Sequence, residues 1–265
     1  MSEESIVDAS RPNAGRMYDY YLGGNHNFEV DRQAAEQALK LMPFGRKYVR
    51  LQRWALQDIA TELAEKRGFD IIIDFASGLP TNDHIHYKVP NGTTVIYSDF
   101  DPITVQYSRE ILGDTPNVYF FENDATQPEK LLNRPEVQER LSSKRKVALV
   151  LWGVSGFIKD EGLKHALNYL YEWAAPGTCL AFNGQVISRD DPAAQKVMAI
   201  YKQTGSPIYP RTAAEYEEMV KPWKPDSMGF VPLLEWHGFD ESELDEDGAT
   251  GFGPMGGAVG AYLIK

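Results

Sequence analysis

Short apolar runs alternate with amphipathic segments along most of this chain, and that alternation limits the possible folds more than any other feature. Five of these runs predict strands, at residues 70–75, 93–98, 118–122, 147–152 and 178–183. The fourth run is apolar at successive positions, as a central strand of a parallel sheet must be because both of its faces are covered. Strands that alternate with helices predict a parallel sheet with right-handed crossovers and helices on both faces.

The two ends of the chain extend this pattern. Residues 231–236 and 258–264 predict a final antiparallel pair, which brings the sheet to seven strands with an antiparallel last strand. Before the first strand, apolar residues recur at helical spacing from Tyr48 to Leu63, and Gly68 ends that helix. We therefore predict an N-terminal helical lid or cap over residues 1–67 and a Rossmann-like domain over residues 68–265, packed as one compact unit.

The charge balance narrows the choice of partners. The 265 residues include 27 Lys and Arg against 38 Asp and Glu, which gives a formal net charge of −11. A chain this acidic has no surplus of cations to release counterions from nucleic-acid phosphates or to dock on anionic lipid. We expect neither nucleic acid nor a membrane as a partner. An oligomer is possible, but nothing in the sequence indicates one.

Cysteine usage and hydropathy favour a cytoplasmic location. The single cysteine, Cys179, excludes an intrachain disulfide. The acidic N-terminal segment does not resemble a signal peptide, and no apolar run approaches the ~20 residues of a membrane span. No metal site is predicted, because His84 and His86 have the wrong spacing for one helical face and no carboxylate pair completes the set.

Small, acidic and aromatic residues follow the predicted strands, where the ligands of such sheets bind. Gly78 follows the first strand and lets the backbone approach a ligand closely. Asp99 ends the second strand, and its carboxylate can accept hydrogen bonds from a ribose diol. Asp124 follows the third strand, where a carboxylate beside a free N–H can bind adenine, and Trp152 ends the fourth. Each also has a purely structural explanation, as a turn glycine, a turn-forming or capping aspartate, or a core aromatic residue.

The order of these residues resembles that of the class I S-adenosylmethionine-dependent methyltransferases. A glycine turn, an aspartate, an Asp-Ala pair and an aromatic loop follow the first four predicted strands in turn. The chain has neither the G-x-G-x-x-G fingerprint of nicotinamide enzymes nor the lysine of a P-loop. A nicotinamide oxidoreductase is therefore disfavoured.

The N-terminal segment narrows the resemblance to one family. Residues 11–32 read RPNAGRMYDYYLGGNHNFEVDR, which resembles the pattern P-x-x-A-R-x-Y-D-x-x-L-G-G-x-x-N-F-x-x-D-R of the S-adenosyl methyltransferase family that is abundant in actinobacteria, formerly a domain of unknown function. Residues 74–81, DFASGLPT, resemble the family's D-x-G-x-G-L-P-T, with Ala76 in place of the first glycine. Residues 99–102 resemble its D-x-D-P. His86 aligns with the histidine of its T-H-E, where Tyr87 replaces the glutamate.

This resemblance implies a cofactor and a set of site residues. The cofactor is S-adenosylmethionine, with S-adenosylhomocysteine as its product, and the fold is that of a class I methyltransferase. The residues implied to bind the cofactor are Arg16, Tyr20, Asn27, Phe28, Ala76, Ser77, Gly78, Thr81, Asp99, Phe100, Asp124, Ala125 and Trp152. The candidate catalytic residues are Tyr18, His26 and His86. We interpret the segment around residues 16–28 as a lid over the cofactor; the alternative is a helix that packs on the domain.

The predicted activity is methyl transfer to a nitrogen, oxygen or carbon nucleophile of a small molecule, which the chain's aromatic residues suggest is apolar or aromatic and part of secondary metabolism. Transfer is an in-line displacement, so alignment of donor and nucleophile can contribute ~7–11 kcal/mol. A base adds about 10²–10⁴-fold where the nucleophile carries a proton, and is often dispensable for a free amine. The alternative is a non-catalytic, regulatory protein that binds S-adenosylmethionine, because Ala76 and Tyr87 depart from the family pattern.

Overall fold

The computed structural model describes residues 10–81, 83–141, 146–238 and 257–265. Within those ranges the strands are β1 (Ile71–Phe75), β2 (Thr94–Asp99), β3 (Val118–Glu122), β4 (Val147–Leu151), β5 (Cys179–Gln185), β6 (Lys224–Pro225), β7 (Val231–Pro232) and β8 (Ala258–Ile264). The α-helices are α1 (Ala14–Tyr21), α2 (Glu29–Leu41), α3 (Gly45–Thr61), α4 (Pro102–Leu112), α5 (Pro128–Leu132), α6 (Pro135–Leu141), α7 (Asp160–Trp173), α8 (Pro192–Gln203), α9 (Ala213–Met219) and α10 (Leu233–Trp236). None of these helices is long and apolar enough to cross a membrane.

The strands form one sheet in the order β3-β2-β1-β4-β5-β8-β6, with β7 paired to β8. Strands β1 to β5 are parallel, and β8 runs antiparallel to β5. The chain moves outward from β1 to β3 and then returns to β4 on the other side of β1. The strand order therefore reverses between β1 and β4, and a crevice forms at the carboxyl ends of strands at such a point.

The predicted fold class is confirmed, with one difference in the sheet and one in the C-terminal segment. The sheet has eight strands rather than seven, because the two-residue strands β6 and β7 both pair with β8. The predicted strand at 231–236 is wrong beyond Pro232, where the chain turns into α10. Proline has no N–H to donate to a sheet ladder, and the short helix instead buries Leu233 and Leu234 against the sheet.

Helix starts follow the side-chain caps that the sequence predicts. Asp101 accepts a hydrogen bond from the N–H of Thr104 at the start of α4, and Asp191 caps α8 in the same way. Thr212 and Glu215 form the predicted capping box at the start of α9. These caps fix where each helix begins after its strand.

Two apolar layers cover the sheet. On β1, Ile72 packs on one side, where α3 and α10 lie, while Ile71 and Ile73 pack on the other, where α7 lies. This division follows from the alternation of side chains along a strand. A third apolar cluster joins α1, α2 and the start of α3 to α8 through residues such as Met17, Ala35 and Tyr201. The N-terminal helices therefore pack on the sheet domain; whether they move as a lid stays a prediction.

Candidate functional site

A cavity of about 1550 Å³ lies at the carboxyl ends of the strands around the switch point. Its walls come from the turns after β1, β2, β3 and β4, from the N-terminal helices and from α8. Cavities that hold one drug-sized ligand usually measure roughly 300–1,000 Å³. This cavity is therefore large enough for two small molecules side by side.

The turn after β1 has a backbone that only glycine adopts without strain. Ala76 has a φ of 55° and Gly78 a φ of 64°, both in the left-handed region. A Cβ on Gly78 would meet no described atom within 4 Å, so the space beside this glycine is open. At Ala76 the left-handed conformation costs about 1–2 kcal/mol. Alanine at position 76 therefore keeps the shape of the turn, and its backbone is locally strained.

Asp99 joins the end of β2 to the turn after β1. Its Oδ2 accepts the N–H of Gly78 at 3.1 Å, and its Oδ1 accepts the N–H of Asp101 at 3.0 Å. Burial raises the pKa of Asp99 to about 6. Each carboxylate oxygen has a second lone pair, so the side chain can also accept hydrogen bonds from a ligand in the cavity.

The turn after β3 places Asp124 and Ala125 on the cavity wall. Asp124 Oδ1 accepts both the N–H and the hydroxyl of Thr126, each at 2.8 Å. This arrangement matches the structural explanation of Asp124 as a turn residue, and its role towards adenine stays a prediction. Phe100, at the end of β2, also borders the cavity and is 62% exposed, so its ring is available to a ligand.

The structure brings eleven of the predicted site residues together on the cavity wall. They are Tyr18, His26, Ala76, Ser77, Gly78, Thr81, Asp99, Phe100, Asp124, Ala125 and Trp152. The other five, Arg16, Tyr20, Asn27, Phe28 and His86, do not line it. Four of those five lie in the N-terminal segment, and the fifth lies after the turn that follows β1.

Arg16 and Phe28 hold α1 against α2. The Nε of Arg16 donates to Asp31 Oδ2 at 2.8 Å, and both side chains are buried. Its Nη2 donates to the carbonyl of Arg11 at 2.7 Å, and its guanidinium lies 5.2 Å from the ring centre of Phe28. Arg16 is therefore committed to contacts within the N-terminal segment rather than to the cavity.

Tyr20 and Asn27 also make their contacts within this segment. The hydroxyl of Tyr20 donates to Glu36 Oε1 at 2.6 Å. The Nδ2 of Asn27 donates to Asp19 Oδ2 at 2.8 Å, and its Oδ1 accepts from Arg32 at 3.0 Å. Asn27 therefore braces the loop between α1 and α2, whereas Tyr20 links the two helices to each other.

The three candidate catalytic residues lie in different places. Tyr18 borders the cavity with its hydroxyl 3.4 Å from the carbonyl of Val49, and burial raises its pKa. His26 borders it near α4, where its ring lies 5.5 Å from that of Tyr107. His86 Nδ1 lies 2.9 Å from the hydroxyl of Tyr97, and burial lowers the pKa of His86 to about 4. His86 therefore contacts Tyr97 of β2 and does not line the cavity.

Arg53 is a cavity residue that the site prediction missed. It is 3% exposed, and its Nε and Nη1 have no hydrogen-bond partner within the described part of the chain. The nearest carboxylate oxygen is Asp83 Oδ1, 3.7 Å from Nη1. The signal was present in the sequence, because Arg53 interrupts the apolar stripe of Val49, Leu56 and Ala60 on α3. A buried charge with this little compensation is costly unless a ligand pairs with it.

Asp74 is a second buried ionisable residue of the cavity wall with an unpartnered polar atom. It is the last residue but one of β1, is 2% exposed, and its Oδ2 lacks a hydrogen-bond partner among the residues described. Burial raises its pKa well above the usual range of a carboxyl, and the nearby Arg53 opposes that shift. The neutral ring of His84 lies 4.0 Å from Asp74 Oδ2 and holds the turn through Nε2, 3.1 Å from the carbonyl of Ser77.

Unpartnered polar atoms concentrate at this cavity. The described residues contain nine buried side-chain polar atoms without a hydrogen-bond partner, and five of them belong to residues on the cavity wall. The cavity-lining residues with such atoms are His26, Gln52, Arg53 and Asp74. Because native proteins satisfy nearly all buried polar groups, this concentration points to a polar ligand.

Comparisons with known proteins agree with this geometry. A family model described as S-adenosyl methyltransferase matches residues 1–259. A candidate methyltransferase from Thermobifida fusca YX is similar in structure, with a TM-score of 0.85, 27% identity, and coverage of 97% of this chain and 96% of that one. A DUF574 family protein from Streptomyces avermitilis MA-4680 gives a TM-score of 0.85 and 25% identity over 97% of this chain and 99% of that one.

A more distant structure shares the fold alone. Magnesium protoporphyrin IX methyltransferase from Synechocystis PCC 6803, solved with bound S-adenosylhomocysteine, gives a TM-score of 0.53 at 10% identity, over 94% of this chain and 92% of that one. No curated protein sequence matches the chain.

Proposed function

Because the chain belongs to the S-adenosyl methyltransferase family, we propose that it transfers the methyl group of S-adenosylmethionine to a nitrogen, oxygen or carbon nucleophile of a small, apolar or aromatic molecule. The observation that carries this proposal is the set of unpartnered polar atoms on the wall of one large cavity. S-adenosylmethionine has an amino-acid end with both charges, a ribose diol and an adenine ring. The cavity offers matching groups for each part.

The amino-acid end fits the pair Arg53 and Asp74. The guanidinium of Arg53 offers donors to the carboxylate, for which arginine geometry is well suited. The Oδ2 of Asp74 offers an acceptor to the ammonium group, and an incoming positive charge would favour the ionised form of this carboxyl. Both residues border the same cavity, where each can bind one end of the zwitterion.

The nucleoside end fits the turns after β2 and β3. Asp99 is held by two backbone N–H groups with lone pairs to spare, as a ribose diol requires. The exposed ring of Phe100 can stack on adenine, and Asp124 with Ala125 borders the same part of the wall. The open space beside Gly78 lets the backbone of the first turn approach the cofactor.

When bound, S-adenosylmethionine supplies a methyl group on a sulfonium, an electrophile that needs no further activation. The protein's own part is to exclude water and to align the acceptor, which can contribute ~7–11 kcal/mol. Tyr18 and Trp152 border the cavity with aromatic rings, which can attract a sulfonium by ~0.5–2 kcal/mol. The raised pKa of Tyr18 keeps its hydroxyl protonated, so it serves as a hydrogen-bond donor rather than as a base. His26, whose Nδ1 has no partner among the described residues, remains the candidate base.

The proposal includes a cytoplasmic location and a place in secondary metabolism. The lone cysteine, which excludes an intrachain disulfide, supports a reducing compartment. The net charge of −11 supports a small-molecule acceptor over nucleic acid. Apolar side chains on the cavity wall, such as Leu39, Val197 and Met198, support an acceptor with an apolar body.

Methyl transfer can be tested directly. The protein is incubated with methyl-labelled S-adenosylmethionine and a panel of phenols, amines and carboxylic acids, and the labelled products are separated. We expect a labelled product with at least one acceptor and none with an Asp99→Ala control. Tight binding of S-adenosylmethionine without transfer to any acceptor would contradict catalysis and favour the non-catalytic alternative.

A further inference from the structure

The cavity continues beyond the proposed cofactor contacts into an apolar lobe. In the sheet, β5 lies on the far side of β4 from β1, β2 and β3, so the end of β5 is remote from the proposed nucleoside contacts. Helix α8 follows β5 along the chain and packs on α2. The residues that define the apolar lobe are Leu39, Met42, Phe44, Val197, Met198 and Tyr201.

A network of amides begins on the face of α3 where Phe44 of the apolar lobe, Tyr48 and Gln52 follow one another at four-residue spacing. Asn183 donates through Nδ2 to the carbonyl of Val259 at 3.2 Å, which can only accept. Its Oδ1 therefore faces Gln52 and accepts from Gln52 Nε2 at 3.2 Å. The same Nε2 lies 2.7 Å from the hydroxyl of Tyr48. The orientation of the Gln52 amide follows from this chain of bonds.

The fixed orientation leaves Gln52 Oε1 as an acceptor. Gln52 is 1% exposed and borders the cavity, and Oε1 has no hydrogen-bond partner within the described ranges. The Oε1 of the neighbouring cavity residue Gln185 is also an acceptor and takes the N–H of Gly156 at 2.7 Å. A buried carbonyl oxygen without a donor is costly, and a ligand N–H or O–H would remove that cost.

The apolar lobe offers no charged group to an acceptor. Its defining residues are uncharged, and the hydroxyl of Tyr201 is 3.4 Å from that of Tyr21. Burial raises the pKa of both phenols, so both stay neutral near pH 7. A charged acceptor would lose its hydration here without a partner, whereas an apolar body would gain from burial.

We propose that the apolar lobe binds the methyl acceptor, and that this acceptor is an uncharged, largely apolar molecule that donates an N–H or O–H hydrogen bond to Gln52 Oε1. This inference rests on the proposed function. It adds a selection rule: the lobe accepts a neutral molecule with a donor and disfavours both an anion and a molecule of the same shape without a donor.

Three probes of one shape separate these cases: 2-naphthol, 2-methylnaphthalene and 2-naphthoate. Binding of each to the protein saturated with S-adenosylhomocysteine is measured by isothermal titration calorimetry. We expect 2-naphthol to bind at least tenfold more tightly than the other two. Gln52→Met should reduce its affinity to that of 2-methylnaphthalene, while the affinity for S-adenosylhomocysteine changes less than twofold. Ser206→Ala, which removes another polar group on the cavity wall, should change neither.

A second variant serves if Gln52→Met does not fold. Met198→Trp fills the apolar lobe from α8 and should abolish binding of all three probes without changing the affinity for S-adenosylhomocysteine. Equal affinity for 2-naphthol and 2-methylnaphthalene, tighter binding of 2-naphthoate, or unchanged 2-naphthol binding by a folded Gln52→Met protein would each overturn the inference. Failure of the wild-type protein to bind S-adenosylhomocysteine would instead contradict the proposed function itself.

Discussion

Replacement of Arg53 by glutamine tests whether this buried arginine binds the carboxylate of the cofactor. A hydrogen bond to a charged group is worth about 1.5–3 kcal/mol, and each 1.4 kcal/mol is tenfold in affinity. Loss of one such bond should therefore weaken S-adenosylhomocysteine binding roughly 10- to 100-fold. The affinity for 5′-methylthioadenosine, which has no amino-acid group, should change less than threefold. Calorimetry with both ligands gives the comparison.

Arg53→Gln should also leave the free protein as stable as before. Two guanidinium nitrogen atoms of Arg53 have no hydrogen-bond partner in the described structure. Its guanidinium has a long ion pair with Asp83 at 3.7 Å and lies 5.5 Å from the ring centre of Tyr18, so glutamine removes a buried charge at the loss of two weak contacts. Arg16→Gln is the matched control. It breaks the buried ion pair with Asp31, in which Nε and Oδ2 are 2.8 Å apart, and leaves this carboxylate without its positive partner, held by the N–H groups of Asn13 and Phe28. That should cost about 3–5 kcal/mol and lower the melting temperature by about 6–20 °C.

The two arginines thus give opposite expected results. Arg53→Gln should lose affinity and keep its melting temperature, whereas Arg16→Gln should lose stability and keep the affinity of its folded fraction. If Arg53→Gln binds S-adenosylhomocysteine normally, or loses affinity for 5′-methylthioadenosine to the same extent, Arg53 does not bind the amino-acid end. If Arg16→Gln keeps its melting temperature and loses affinity, the original prediction for Arg16 is right and the assignment to Arg53 is wrong.

Three further substitutions and one amide-exchange measurement test other parts of the site. Ala76→Gly relieves a positive φ of 55° and should raise the melting temperature by about 2–4 °C; a decrease would contradict the strain. Burial raises the pKa of Asp99 to about 6, so between about pH 4 and pH 6 this carboxyl is ionised in the unfolded chain but still protonated in the folded protein. The wild-type protein should therefore lose stability relative to Asp99→Asn as the pH rises through this range. Parallel curves of stability against pH would contradict this. Asp124→Asn keeps the acceptor for Thr126, so its melting temperature should hold while cofactor affinity falls several-fold; intact affinity would make Asp124 a turn residue alone. S-adenosylhomocysteine should slow amide exchange across residues 16–28 more than across α6, and equal protection would argue against a lid.

The sheet could be predicted well because its signals are local. Strands β3 and β8 were predicted to the residue, since each is a β-rich run bounded by turn residues. The residues after the strands could also be placed, because parallel strands align their carboxyl ends whatever the side chains are. Gly78, Asp99 and Trp152 meet at one cavity for that reason. The segment after Pro232 was missed, since its apolar residues fit a strand and a helical turn equally well.

The cavity wall was harder to predict because its N-terminal side depends on contacts between distant residues. Periodicity shows which face of α3 is buried, but it does not show that Arg53 on that face borders a cavity rather than the core. Only the position of the turn after β1 relative to α3 settles this. Arg53 contributes two of the unpartnered atoms that carry the functional proposal. A residue that the sequence analysis did not identify is therefore central to the proposed site.

The N-terminal signature has its physical explanation in the two sides of α1. Arg16 and Tyr20 are four residues apart on one side and face α2, where they bind Asp31 and Glu36. Tyr18 and Tyr21 are three apart and border the cavity. Arg16 and Tyr20 therefore hold α1 against α2, whereas Tyr18 and Tyr21 form part of the cavity wall.

The loop after α1 also contains a residue that borders the cavity, His26, and is held in place by a residue of α1. Asp19 accepts the N–H of His26 at 2.8 Å, and a Cβ on Gly24 would lie 2.1 Å from its Oδ1, so only glycine fits there. This support holds His26 at the cavity, which Asp19 also borders. The signature positions of this segment therefore include residues that position the wall, such as Arg16, and one that forms part of it, Tyr18. Arg53, which we propose to bind the cofactor, lies on α3, a helix that the signature does not include.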